Sequence, residues 1–245
     1  MSYTSSDNGE PSKLMNAFLT FGDIVEVNIL WIICCLPIIT IGASTTAMYT
    51  VCFRLVKQEA GSTRKDFFRS FKANFKKATT IWIMFALAAF FLYFEMLYGT
   101  NYVGGLAMFY FFLAAIESML MIMVLAFLFP LVARYDNTVL NTIKNSFLLS
   151  LSNFGSFLKI FVAWFFPVFI PIRYPSILFY SWFLWPIFMC GLIAFGTSHT
   201  ILKVFDKISD AQKEQAEKEA KPDKDEQKKI DQKKDVKKKG KRSKV

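Results

Sequence analysis

Apolar positions dominate the chain from Leu14 to Phe205, in runs too long for strands or for the helices of a water-soluble core. Thr79–Gly99 holds one charge in 21 residues, and Val103–Ala133 holds one in 31. A helix rises about 1.5 Å per residue, so roughly 20 apolar residues cross the ~30 Å hydrocarbon layer. The pattern predicts an all-α fold: a polytopic integral membrane helix bundle of six (alternatively five) transmembrane spans with two amphipathic cytoplasmic linkers.

The first apolar stretch runs from Leu14 to Val56 and is interrupted by Pro37, which lacks a backbone donor, and by Gly42. Two helices near 15–36 and 43–58 fit this interruption; the alternative is one kinked helix from about 24 to 53. A first helix starting at 15 would place Asp23 and Glu26 inside the bilayer, which counts against six spans. The next segment, Lys57–Lys77, carries seven Lys or Arg against two acids. Its Phe67, Phe68, Phe71 and Phe75 share one helical face, and Arg69, Lys72, Lys76 and Lys77 fill the remainder. With Ser62 placed to cap it, this stretch predicts a short basic helix lying on the inner membrane surface, which makes the linker cytoplasmic by the positive-inside rule.

Spans are then expected at 79–99, 104–133, 157–172 and 177–203. Residues 134–157 form the second amphipathic linker, with Asn141, Lys144 and Asn145 alternating with Leu140, Ile143, Phe147 and Leu151. Uncharged Thr100–Tyr102 and the Arg173–Ser176 segment read as external turns. Phe68-x5-Asn74-Phe75 and Phe147-x5-Asn153-Phe154 repeat at a spacing of 79 residues, a weak internal echo.

Three regions follow: a disordered N-terminus (1–13), a transmembrane domain (14–205) and a disordered basic cytoplasmic tail (206–245). No cleavable signal peptide is expected, so the first apolar segment would act as an uncleaved anchor. The formal charge of +10 divides evenly. Residues 1–205 hold 14 basic and 9 acidic groups, and the tail holds 15 and 10. Clustered Lys and Arg beside a bilayer attract anionic lipid. The tail therefore has anionic lipid as its expected partner, a purely solvated role as the alternative, and nucleic acid as the least favoured.

Candidate chemistry is sparse. Glu117 falls near mid-depth of its span, where an ionised carboxylate is costly unless paired or hydrated. It reads as a proton or cation site, or as a structural carboxyl bonded to Ser118 or another helix. Asn28 reads as interhelical packing. Thr40 and Thr45 would supply hydroxyls to the Pro37–Gly42 break, which is either a tight turn or a broken element lining a cavity. Phe67, Phe71, Phe75, Arg69, Lys72 and Lys76 are the candidate inner-surface contacts. Cys34, Cys35, Cys52 and Cys190 lack metal-ligand or redox spacing, and His199 is the single histidine. No catalytic triad, metal motif or phosphate loop is present, so neither an enzyme nor a cofactor is expected.

Two blocks resemble the YesL-like family of bacterial membrane proteins, a domain of unknown function. The first is Asn28-Ile29-Leu30-Trp31, Leu36-Pro37-Ile38-Ile39-Thr40-Ile41-Gly42-Ala43 and Ala47-Met48-Tyr49. The second is Asp66-Phe67-Phe68-x-Ser70-Phe71-Lys72-x-Asn74-Phe75-Lys76-Lys77. The blocks cover about 28–77, and the span layout is similar out to about 205. The resemblance implies a bacterial cell membrane location and an accessory or regulatory role near carbohydrate uptake, with an ABC transporter permease as partner. A small transporter or channel using Glu117 and the Pro37–Gly42 break is the alternative. The E-A-A…G coupling loop of an ordinary permease subunit is not found.

Overall fold

The computed structural model describes residues 13–174, 176 and 184–220. Among these there are seven α-helices and no strand. They are α1 (Lys13–Cys35), α2 (Ile41–Val56), α3 (Thr63–Thr100), α4 (Gly105–Arg134), α5 (Val139–Ser152), α6 (Phe154–Arg173) and α7 (Leu184–Ala220). Five helical segments are long and apolar enough to cross a membrane, and a sixth is reached if α5 and α6 count as one bent span. The chain divides into two compact units, Met1–Leu202 and Lys203–Val245.

The break in the first apolar stretch is a two-helix turn, as the Pro37 reading expects. A 3-10 turn, Ile38–Thr40, joins α1 to α2. Its carbonyls are not left bare. Thr40 Oγ1 donates to Cys34 O at 2.5 Å and lies 2.6 Å from Pro37 O, while Trp82 Nε1 donates to Ile38 O at 2.8 Å. A turn rimmed by exposed Leu36, Ile38 and Ile39 needs this, because hydrocarbon offers no replacement partners.

Residues 63–100 depart from the expected layout of a surface helix followed by a separate span. They form one helix of 38 residues, about 57 Å long by helix rise. The reason is local: no Gly or Pro lies between Thr63 and Tyr98, so nothing halts the hydrogen-bond ladder at Lys77. Ser62 occupies the N-cap position, but its side chain makes no capping bond. The Trp82 contact sets the tip of the α1–α2 hairpin beside the middle of α3. From Ile83 to Tyr98 the helix continues with exposed Leu87, Phe90, Phe91 and Phe94.

The second linker also differs. Helix α5 buries Thr142, Ser146 and Ser150 and exposes Leu140, at 73 %, together with Leu148 and Leu151. Asn141, Lys144 and Asn145 are exposed, as the amphipathic reading expects, but the packing face is made by the hydroxyl residues rather than by the leucines. Small hydroxyl residues let helices approach closely where lipid, not water, is the solvent for the other face. Ser150 Oγ bonds Met123 O at 2.5 Å across to α4. A 102° bend separates α5 from α6. Asn153 sits at this bend, whereas its counterpart in the echo, Asn74, lies inside α3. The two copies therefore differ at the matched Asn, although both lead residues, Phe68 and Phe147, are helical.

Helix α7 continues to Ala220, so residues 206–220 of the expected disordered tail are helical. Residues 1–12, Pro175, the start of the last expected span (177–183) and 221–245 lie outside the described residues.

Candidate functional site

The polar residues singled out by sequence are brought to four separate places. Asn28 is fully buried on α1, and its Oδ1 accepts the backbone N–H of Gly191 on α7 at 2.7 Å. A Cβ on Gly191 would lie 2.9 Å from Ile24 O, so only glycine permits this approach. Thr45 Oγ1 accepts Trp31 Nε1 at 3.1 Å, and neighbouring Ser44 donates to Trp31 O at 3.0 Å. Thr40 closes the α1–α2 turn.

Glu117 is exposed on α4, in the part of the α3–α4 hairpin beyond the α1–α2 tip. Glu95 on α3 is its neighbouring carboxyl. Ser118, the neighbour considered for Glu117, instead donates to Ala114 O at 2.7 Å. A shallow hollow around Glu117 is walled by Phe85, Leu92 and Leu120.

A second cavity, of about 450 Å³, opens between α2, α4 and α6. Trp31, Thr45, Tyr49, Trp82, Phe129 and Trp164 are among its lining residues; the indole N–H of Trp31 bonds the Thr45 hydroxyl, and that of Trp82 bonds Ile38 O. Its walls are mainly apolar, with the Thr45 and Tyr49 hydroxyls and the indole nitrogens as the polar groups. Glu117, Asn28 and Thr40 do not line it.

The Phe stripe of α3 faces inward at its start rather than lying on the bilayer surface. Phe67 is fully buried, Phe71 is half-buried, and Phe75 is exposed at 37 %. The rings follow one another with centroids 6.3 Å and then 5.6 Å apart. Phe67 is thus a core residue, and its assignment as a membrane contact is corrected. Arg69, Lys72 and Lys76 are exposed, and Arg69 is also bound to Asp66.

An ion network that sequence reasoning missed lies at the same end of α3. Arg54 Nε is 3.2 Å from Asp66 Oδ2, with both side chains about nine-tenths buried. Arg69 Nη2 donates to Asp66 Oδ1 at 2.6 Å. Arg54 Nη2 donates to Thr63 Oγ1 at 2.9 Å, and Thr63 Oγ1 donates to Asp23 Oδ1 at 2.6 Å. Glu26 pairs with Arg64. Asp23 and Glu26, which argued against an early start for the first helix, are both satisfied by the first residues of α3. Thr50 and Ser70 add a hydroxyl contact at 2.7 Å between α2 and α3. Among the described residues no cluster of His, Cys, Asp and Glu has the geometry to hold a metal.

Residues 24–96 match the family model described as "Protein of unknown function, DUF624". The match runs from α1 through most of α3. It includes Asn28, the 3-10 turn, every member of the ion network except Asp23, and Glu95. No curated protein and no solved structure matches the chain.

Proposed function

We propose that this chain is a YesL-like accessory or regulatory protein of the bacterial cell membrane, associated with carbohydrate uptake and acting through helix–helix contacts. The observation that carries the reading is how its intramembrane polar groups are used. Asn28, Thr40, Thr45 and Trp31 are each satisfied by a neighbouring helix or turn, and none of them shares a cavity with Glu117. A solute path needs polar groups converging on one space; a packing protein consumes them in pairs.

The α3–α4 hairpin is left as the surface for a partner. It offers exposed Phe90, Phe91, Phe94, Phe109 and Phe112, with the Glu95–Glu117 pair among them. An Arg or Lys on a partner helix would answer that pair inside the bilayer. An ABC transporter permease is the partner proposed from the family resemblance. The basic linker and the tail favour a cytoplasmic C-terminus, with anionic lipid held by the tail. No cofactor or catalytic step is part of the proposal.

The test is purification of the full chain in mild detergent with and without Glu117→Leu. Recovery of a carbohydrate ABC permease with the parent chain, reduced by the substitution, supports the reading. A clean, partner-free chain that carries proton-coupled solute flux in liposomes overturns it in favour of a transporter.

A further inference from the structure

The cavity of about 450 Å³ between α2, α4 and α6 is a slot with graded walls. On α6, Phe157, Phe161 and Phe165 follow one another at i, i+4 and i+8, with ring centroids 6.1 Å and then 5.4 Å apart. The first is buried, the second half-buried and the third exposed. On α4, Phe129 is buried, Leu125 and Ala126 are half-buried, and Ile122 is exposed. Both walls therefore run from an enclosed floor to an open mouth, over about 10–12 Å of helix rise. Met48 and Ile160, 0 % and 2 % exposed, are among the enclosed lining residues.

Water is a poor occupant of this slot. It needs about two to four polar partners, and here the Thr45 hydroxyl is already bonded to the Trp31 indole, and the Trp82 indole to Ile38 O. An empty slot is also unfavourable, because its lining atoms lose their close contacts. An apolar void of about 150 Å³ stays dry and takes up benzene. At the mouth, Ile122 and Phe165 are continuous with an exposed apolar surface, Met119 and Leu120 on α4 and Phe166 and Phe169 on α6. On membrane-spanning helices, what meets such a mouth is hydrocarbon. The length of the slot suits an extended chain better than a compact ligand.

We infer that this slot holds one acyl chain of a membrane lipid, which enters from the bilayer between Ile122 and Phe165. The chain fills the gap where α2 meets α4 and α6. None of the exposed phenylalanines of the proposed partner surface on the α3–α4 hairpin lines the slot, so the two sites are separate.

The test reconstitutes the full chain in phosphatidylcholine nanodiscs doped with a phosphatidylcholine that carries a photoactivatable diazirine in its acyl chain. After irradiation, labelled residues are mapped by peptide mass spectrometry. Exposed Phe112 serves as the reference for ordinary lipid contact. Met48 and Ile160 can be reached only by a chain inside the slot, and they should be labelled comparably with Phe112. Ala126→Leu places an isobutyl group in the slot, taking the room of about three chain methylenes, each worth roughly fourfold in affinity. Labelling of Met48 and Ile160 relative to Phe112 should then fall at least about tenfold. Ala89→Leu, the same change at an exposed residue of α3 that does not line the slot, should leave the ratio unchanged. If Ala126→Leu does not fold, labelling of the parent chain decides. Label confined to outward-facing residues such as Phe112 overturns the inference. So does labelling of Met48 and Ile160 that is equal in the parent and in Ala126→Leu.

Discussion

Asn28 and Gly191 stand 163 positions apart in the chain and are joined by a 2.7 Å hydrogen bond from the Gly191 backbone N–H to the Asn28 amide oxygen. The bond ties the first helix to the last in a region where water cannot replace either partner. Removing the amide should cost about 0.6–2 kcal/mol, the measured range for interhelical polar contacts in membranes. Asn28→Leu should therefore lower the unfolding midpoint of the purified chain. Gly191→Ala should cost at least as much, because its Cβ would meet Ile24 O at 2.9 Å and Asn28 Cβ at 3.0 Å. A neutral Gly191→Ala would show that α1 and α7 do not meet here.

A second glycine pair gives opposite signs for one chemical change. A Cβ on Gly42 would collide with Ala78 O and lie 2.8 Å from Trp82 Cβ, so α2 and α3 would have to separate. Gly42→Ala should destabilise by about 1–3 kcal/mol, the usual cost of overpacking. Gly22 lies inside α1, and a Cβ added there would meet nothing within 4 Å. Gly22→Ala should stabilise by up to about 1 kcal/mol through helix propensity. Chemical unfolding of the two variants side by side reads both signs; equal effects would refute the α2–α3 contact.

The helices are legible in the sequence because long apolar runs bounded by Pro37, Thr100–Tyr102 and Asp136–Asn137 leave few alternatives in lipid. The continuity of α3 is legible too, since residues 63–98 contain neither Gly nor Pro; the charge change at Lys77 suggests a boundary that the backbone does not require. Helix α5 packs through its hydroxyl stripe and leaves Leu140 exposed, because burial of apolar residues is a rule for water, and Leu140 has no reason to leave hydrocarbon. The ion network is out of reach of sequence reasoning. Asp23 and Thr63 are 40 residues apart, and periodicity within one helix says nothing about which residue of another will face it. Asn28 is an interhelical contact, as its place in an apolar run implies, but its partner is a backbone N–H, which leaves no compositional trace.

Asp66 is the centre of that network, and its loss should be felt more than its position near a helix end suggests. Asp66→Asn would remove the carboxylate that faces both Arg54 and Arg69, with the Arg54 side chain only 11 % exposed. Removing one partner of a buried ion pair costs about 3–5 kcal/mol, because the other charge stays in a poorly solvating place. Pairing the change with Arg54→Met should recover part of the loss. A double variant no more stable than Asp66→Asn alone, measured by thermal unfolding in detergent, would mean that the two side chains are not coupled.

Helix α5 offers a direct test of what solvent surrounds the chain. Thr142, Ser146 and Ser150 form a buried stripe at i, i+4 and i+8, and Leu140 is exposed. If the stripe is the packing face, Ser146→Leu should destabilise by about 1–3 kcal/mol even though it makes the helix more hydrophobic. Leu140→Ser should change stability by less than ~1 kcal/mol, since no neighbouring side chain loses close packing. A conventional amphipathic helix with its leucines buried demands the reverse order, with Leu140→Ser the more costly because it empties a packed site. Unfolding both variants in the same detergent decides between them. The observed order also states whether small hydroxyls hold α5 to α4, as the Ser150–Met123 bond at 2.5 Å implies.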